Sequence, residues 1–265
     1  MTANIPFVPA ASALVVRDHA ANGIEVLLVK RGSGNRSFAD MWAFPGGKVD
    51  PADLRQAELL ADALRDAARP GMTPQLLAFG IATWRELLEE TGGDQSLGHD
   101  PARLATMLAH TIYWSHWVAP REAPVAFDTR FFLLDASVLP HEPRPDGREI
   151  SELRWLTAAQ ALADLDAGRL AAAPPSVFNL LELQLAVIGC RSSRDLLARE
   201  QGRPIIRIRP RIDRSTEPHR TTLPWDARFA ELGGESGAGP PEPVPGRYLA
   251  LPSRLTVARG SLTRK

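Results

Sequence analysis

The sequence predicts an α/β fold in which helices cover both faces of a mixed β-sheet. Segments with strand and helix periodicity alternate along the chain, which is the pattern of such a layered sheet. The continuous apolar run at 129–134 is typical of a central strand. A chain of 265 residues with 44% hydrophobic content can bury one core and carry an appendage. We therefore expect one main domain over 8–199 and a C-terminal extension over 200–265.

Two short strands are expected first, because residues 10–16 and 24–30 are rich in β-branched and aliphatic side chains. The polar segment 17–23 between them predicts a hairpin. A brief apolar stretch at 42–44 then leads into the pair Gly46-Gly47, which marks a tight turn at a strand end.

Two helices follow, over 53–69 and 74–91. Pro70-Gly71 ends the first, and Gly92 closes the second as a C-cap. The apolar stripes are Leu54, Ala57, Leu60, Ala61, Leu64 and Ala68 in the first helix and Leu77, Ile81, Trp84 and Leu88 in the second. We expect both stripes, including Leu54, Leu60 and Leu64, to pack against the core.

The second half of the chain continues the alternation. The remaining expected strands are 112–118, 129–134 and 153–156, and the remaining expected helices are 157–165 and 176–188, the latter capped by Ser176. In the extension, 205–208 and 249–257 are candidate strands, and the Pro/Gly-rich stretch 233–246 reads as a linker.

Three carboxylates carry most of the chemical information. Glu86, Glu89 and Glu90 stand at positions i, i+3 and i+4 of the second helix, so they project from one face. Carboxylates this close repel each other, and a divalent cation such as Mg²⁺ relieves the repulsion because it prefers hard oxygen ligands. A solvated acidic helix face is the alternative for an isolated cluster of this kind.

The Phe-Pro-Gly-Gly turn upstream favours a cation site over a solvated helix face, since backbone amides at Gly46 and Gly47 can approach an anion closely. Together the two segments resemble the signature of the Nudix hydrolases, G-x5-E-x7-R-E-U-x-E-E-x-G-U, in which U is a bulky aliphatic residue. The matching positions are Gly47, Asp53, Arg85, Glu86, Glu89, Glu90 and Gly92.

The match departs from the signature at three points. Asp53 replaces Glu, Gly93 replaces the final aliphatic residue, and 31 residues instead of seven separate Asp53 from Arg85. We interpret the added length as a helical insertion over 54–78.

The resemblance implies an α/β/α sandwich and a diphosphatase that depends on Mg²⁺ or Mn²⁺. Glu86, Glu89 and Glu90 are the expected metal ligands and catalytic carboxylates, while Arg85 is expected chiefly to fix the helix by pairing with a carboxylate. Glu86 itself or a distant carboxylate would act on the water, with Glu149 and Glu152 as the distant candidates.

The stretch 27–47 resembles the coenzyme A diphosphatase pattern L-L-T-x-R-[SA]-x3-R-x3-G-x3-F-P-G-G, found in the peroxisomal subfamily and its bacterial relatives. It retains Arg31 and Arg36, which could bind phosphate oxygens together with the amides of Gly46 and Gly47. The implied substrate is coenzyme A or an acyl-coenzyme A. The alternatives are ADP-ribose, NADH or another nucleotide, and a Nudix domain that binds its ligand without hydrolysis.

The composition limits the kinds of binding partner that can be expected. Thirty-one basic and 31 acidic residues give a net charge of zero, which offers no argument for a nucleic-acid or membrane partner. The arginines between 203 and 214 read as solvated or salt-bridged, and Cys190 reads as core filler. We expect a cytoplasmic protein with a small nucleotide substrate, whose extension packs on its own core or, in a homodimer, on a second subunit.

Overall fold

The computed structural model describes residues 7–32, 40–65, 73–120, 126–217, 219–232 and 244–256. The strands are β1 (Val8–His19), β2 (Gly23–Arg31), β3 (Trp42–Ala43), β4 (Gly46–Lys48), β5 (Thr111–Val118), β6 (Phe127–Asp135), β7 (Ile150–Leu156), β8 (Arg207–Ile208), β9 (Arg211–Asp213), β10 (Arg220–Thr222) and β11 (Arg254–Thr256). The helices are α1 (Pro51–Arg65), α2 (Pro74–Glu90), α3 (Pro101–Ala109), α4 (Ala158–Asp166), α5 (Pro174–Ala186), α6 (Ser193–Glu200) and α7 (Gly246–Leu249).

The main sheet is mixed and runs in the order β3-β2-β1-β6-β5-β8, with β4 paired to β1 and β7 paired to β2. β1 forms an antiparallel hairpin with β2 and a parallel pair with β6. The strand β6 therefore lies inside the sheet, as its apolar run predicts. The three remaining strands form a separate small sheet, β11-β10-β9.

Helices cover both faces of the main sheet. One buried cluster joins α2 and α3 to alternate residues of β1, among them Ala11, Ala13 and Val15. The other cluster joins α4, α5 and α6 to the opposite residues of the same strand, among them Leu14 and Val16. Alternation along β1 thus divides the core into two halves. The prediction of a mixed α/β sheet covered on both faces is confirmed.

The apolar stripe of α2 is buried as predicted, but part of the stripe of α1 is not. Leu54 is 49% exposed, whereas Asp53 is 2% and Ala57 5% exposed. The prediction that Leu54 packs on the core is therefore wrong. A polar contact of Asp53, described below, sets the rotation of α1 about its axis. The side chain of Leu64 and all of residues 66–72 lie outside the part of the chain that the structure describes.

Two expectations for the later elements are corrected. Ser176 is not a cap but lies within α5, whose N-cap is Ala173 and whose first turn contains Pro174 and Pro175. Proline fits the first turn because its missing N–H would have no helical partner there. In the extension, the expected strand at 249–257 shrinks to Arg254–Thr256, since Leu249 ends α7.

The extension contacts the rest of the chain at several points. Its strand β8 pairs in parallel with β5, and Trp225 and Tyr248 pack around Phe178 of α5. Most of the expected linker lies outside the described residues. Within the described part of the chain, no helix is long and apolar enough to span a membrane.

Candidate active site

The helix α2 brings the acidic residues to the middle of one sheet face. Thr73 caps its N-terminus by accepting a hydrogen bond from the amide of Leu76. At the other end, Thr91 is the C-cap, and Gly92 follows with a φ of 71°, a left-handed conformation that favours glycine. This confirms the predicted end of the helix.

The Gly46-Gly47 turn lies directly against α2. The amide of Gly46 donates a 2.9 Å hydrogen bond to Oε2 of Glu90. A Cβ on Gly47 would lie 2.4 Å from the carboxyl group of Glu86, and a Cβ on Gly46 would lie 2.3 Å from the carbonyl oxygen of Ala11. Both glycines are therefore required by close approach, the first to a side chain and the second to the backbone.

Arg85 ties α2 to the start of α1. Its Nε and Nη2 donate parallel 3.0 Å hydrogen bonds to the two carboxylate oxygens of Asp53. Nη2 also donates to the carbonyl oxygen of Lys48, and Nη1 donates to Glu86 at 2.9 Å and to Glu89 at 3.3 Å. Arg85 is thus fully engaged within the protein, as a residue that fixes the helix would be.

The three carboxylates differ in their surroundings. Glu90 is 3% exposed, and burial raises its pKa to about 8 against the opposing hydrogen bond from Gly46. Burial also raises the pKa of Glu86, although the Arg85 guanidinium opposes that rise. The Glu89 side chain is 36% exposed and turned towards Arg85.

These surroundings fit a divalent cation at Glu86 and Glu90. The half-buried Glu86 and the buried Glu90, whose charged forms burial destabilises, supply the hard oxygen donors that Mg²⁺ and Mn²⁺ prefer. No group of three His, Cys, Asp or Glu side chains among the described residues is already arranged as a metal site. Glu89 accepts a hydrogen bond from Arg85 and is the most exposed of the three carboxylates.

The two distant carboxylates that the sequence leaves open differ in their surroundings. The charge of Glu149 adds to burial in raising the pKa of Glu86 and Glu90, and its carbonyl oxygen accepts a hydrogen bond from the amide of Gly32, next to Arg31. Glu152 instead accepts a 3.0 Å hydrogen bond from Lys30 and contacts Arg154.

Arg31 also lies at the site, because its charge opposes the rise in the pKa of Glu90 that burial causes. Its Nε is buried and has no hydrogen-bond partner among the residues that the structure describes. Arg36 lies outside the described residues.

One contact at the site was not expected from the sequence. His141 lies against Thr91 and Gly93 at the end of α2. The signal that could have suggested it is Gly93, which stands where the signature has an aliphatic side chain.

The chain combines a mixed sheet between two helical layers with carboxylates of one helix placed against a Gly-Gly turn. Known proteins share parts of its sequence and of its fold. The chain is 28% identical over 184 residues to a Caenorhabditis elegans protein assigned as nudix hydrolase 7, covering 60% of this chain and 55% of that protein. It thus spans about half the length of that relative.

A solved structure agrees. The NUDIX hydrolase from Alicyclobacillus acidocaldarius superposes with a TM-score of 0.59 and 26% identity, covering 74% of this chain and 97% of that one. No family model matches the sequence. The chain is thus similar to Nudix hydrolases in sequence and in fold.

Proposed function

We propose that this protein hydrolyses a nucleoside-diphosphate-linked substrate with the help of Mg²⁺ or Mn²⁺. The observation that carries the proposal is the placement of the Glu86 and Glu90 carboxylates against the Gly46-Gly47 turn. Buried, partly uncompensated carboxylates stabilise a protein less than apolar packing would, so a functional reason for them is expected.

Glu86 and Glu90 would hold the cation, and Glu89 would join them when it releases Arg85. A bound divalent cation would neutralise the diphosphate and stabilise the charge that develops on its oxygens. Arg85 keeps α2 in register with the Gly46-Gly47 turn through Asp53 and Lys48. The positions of both carboxylates therefore depend on Arg85, whose guanidinium is engaged within the protein.

Glu149 is the proposed proton acceptor. It is exposed, and its charge adds to the rise in the pKa of both Glu86 and Glu90 that burial causes. The water oxygen forms a bond to phosphorus, its proton passes to Glu149, and the bridging P–O bond breaks to release two phosphate monoesters.

Coenzyme A or an acyl-coenzyme A is the proposed substrate. Support comes from the retained Arg31–Arg36 spacing and from the charge of Arg31, which acts on Glu90 at the site. The products would be 3′,5′-ADP and 4′-phosphopantetheine or its acyl derivative. ADP-ribose, NADH and other nucleotides remain the alternative substrates, with all catalytic groups unchanged.

The test is mass identification of products from coenzyme A, acyl-coenzyme A, dephospho-coenzyme A, ADP-ribose and NADH, with Mg²⁺, with Mn²⁺ and with a chelator. We expect coenzyme A to be cleaved faster than dephospho-coenzyme A, which lacks the 3′-phosphate. Preference for ADP-ribose or NADH would transfer the assignment to the alternative. Ligand binding without any cleavage would instead indicate a non-hydrolytic domain.

Variants of Arg31 and Arg36 test the assignment of coenzyme A as the substrate. Charge-assisted hydrogen bonds contribute about 1.5–3 kcal/mol, so Arg31→Ala or Arg36→Ala should lower kcat/KM about 10- to 100-fold. Each should also narrow the gap between coenzyme A and dephospho-coenzyme A. Arg169→Ala is the matched control, because Arg169 is exposed and paired with Asp164 on α4.

A further inference from the structure

The loop between β6 and β7 is attached to the C-terminal end of α2 through His141. Nε2 of His141 lies 2.9 Å from the carbonyl oxygen of Thr91 and 3.0 Å from its hydroxyl oxygen. The Thr91 hydroxyl donates its proton to the carbonyl oxygen of Leu87. Since both nearby Thr91 oxygens then act as acceptors, Nε2 must carry the proton.

A second contact reinforces the attachment. The amide of Arg144 donates a 3.0 Å hydrogen bond to the same Thr91 carbonyl oxygen. The last carbonyl groups of a helix lack partners within the helix. The loop therefore caps α2 at the residue that directly follows Glu90.

The histidine ring occupies space that Gly93 leaves open. A Cβ on Gly93 would lie 2.5 Å from Cε1 and 3.0 Å from Nδ1 of His141. The φ of Gly93 is not in the left-handed region. The space that the His141 ring occupies, rather than the backbone conformation, therefore explains the glycine at this position. This accounts for the departure from the signature, which has a bulky aliphatic residue at this position.

The far end of the same loop carries Glu149. Asp146 organises this end by accepting hydrogen bonds from the amides of Arg148, Glu149 and Ile150. The carbonyl oxygen of Glu149 accepts a 2.8 Å hydrogen bond from the amide of Gly32, next to Arg31. The loop is thus fixed at one end by His141 and at the other end by β2.

We propose that His141 is a positioning residue, which holds the loop 140–149 against α2 so that Glu149 faces the carboxylates of that helix. Gly93 is its necessary counterpart. The inference rests on the proposed hydrolysis, because it assigns His141 a role through Glu149. His141 itself contacts Thr91 rather than the substrate.

The first test compares His141→Ala with His141→Gln. Misplacement of a reacting group by about 1 Å can cost about 100-fold in rate. We expect His141→Ala to lower kcat about 10- to 100-fold with KM within about twofold of the wild type. His141→Gln should recover most of the loss, because its side-chain amide can donate to Thr91. An unchanged kcat in His141→Ala would overturn the proposal.

A double mutant shows whether His141 acts through Glu149. Glu149→Gln should lower kcat by a similar factor in the wild type and have little further effect in His141→Ala. Additive losses would mean that His141 acts by another route. Gly93→Ala should also lower kcat, because its Cβ would meet the His141 ring, and the effect should be smaller in His141→Ala, where only the contact with Cδ2 of Leu88 is left.

Hydrogen exchange separates failure of this inference from failure of the proposed function. In His141→Ala, the amides of Arg144 and Glu149 should exchange faster, while those in the middle of α2 stay protected. If the wild type cleaves no diphosphate, the proposed function is rejected, but this measurement still decides whether His141 holds the loop. Unchanged exchange at Arg144 would overturn the attachment itself.

Discussion

Arg85 and Asp53 are joined by two parallel hydrogen bonds of 3.0 Å across the start of the inserted segment. Asp53 stands where the Nudix signature has the longer Glu, yet the pair closes because α1 brings Asp53 close to α2. An amide of the same turn, that of Asp50, also donates to Asp53 at 2.8 Å. The chain can therefore lengthen between these two residues without separating them.

Replacement of Arg85 should destabilise the protein as well as inactivate it. Arg85→Ala leaves the buried Asp53 carboxylate without its cation, which costs about 3–5 kcal/mol in the free energy of unfolding. Arg85→Lys should cost less, because the ammonium group keeps a positive charge beside Asp53. Some loss should remain, because an ammonium group cannot form the parallel pair of hydrogen bonds. Urea denaturation measures both. A large rise in KM with unchanged stability would show that Arg85 binds substrate instead.

Gly46 and Gly47 should respond differently to a methyl group. Gly47→Ala pushes against the Glu86 carboxyl group, a side chain that can move, so activity should fall at least about tenfold while the melting temperature changes little. Gly46→Ala meets the backbone of Ala11 and should mainly lower the melting temperature. Equal effects of the two substitutions on stability would contradict this assignment.

Glu90 should make stability depend on pH when no metal is bound. Burial raises its pKa in the folded state to about 8, above the ordinary value of 4.5. Its contribution is therefore fully present below about pH 4.5 and is lost as the pH rises through about 8. With a chelator present, the melting temperature of the wild type should fall between about pH 4.5 and pH 8 relative to that of Glu90→Gln.

Metal should oppose that fall. A cation binds the ionised carboxylate in competition with the proton, so the stabilisation by Mg²⁺ should increase with pH in the wild type. Glu90→Gln should also lower kcat about 10²–10³-fold, as expected when a main electrostatic stabiliser is lost. Activity that survives both the substitution and a chelator would exclude Glu90 as a ligand.

The ion pair between Arg203 and Glu182 should be important for stability. Nη1 of Arg203 lies 3.0 Å from Oε1 of Glu182, and each side chain is 4% exposed. Arg203→Met leaves the Glu182 charge buried, which should cost about 3–5 kcal/mol in urea denaturation. Glu152→Gln is the control, because Glu152 pairs with Lys30 at the surface and its loss should change the urea midpoint little.

The sequence predicted best those features that depend on neighbouring residues. The hairpin of β1 and β2 and the apolar stripe of α2 follow from local periodicity, and the structure contains them. The rotation of α1 did not follow, because Leu54 and Ala57 both fit a helical stripe. The contact of Asp53 with Arg85, 32 positions along the chain, decides between them.

The same limit applies to the distant carboxylate. Glu149 and Glu152 belong to one short segment, and their local sequence gives no reason to prefer either. The antiparallel pairing of β7 with β2 places Glu152 opposite Lys30. That register, a long-range property, also places Ile150 opposite Arg31, so that Glu149 lies beside Gly32. Helices α3 and α6 were not predicted.

The pairing of β8 with β5 has a consequence for the behaviour of shortened chains. β5 contains four buried aromatic or aliphatic residues, Ile112, Trp114, Trp117 and Val118, and β8 pairs with its outer edge at His116 and Trp117. Without residues after 200, β5 would become an open edge strand with unpaired amide and carbonyl groups. Such edges pair with other molecules, so a protein cut at this point should aggregate even where its catalytic helix is intact.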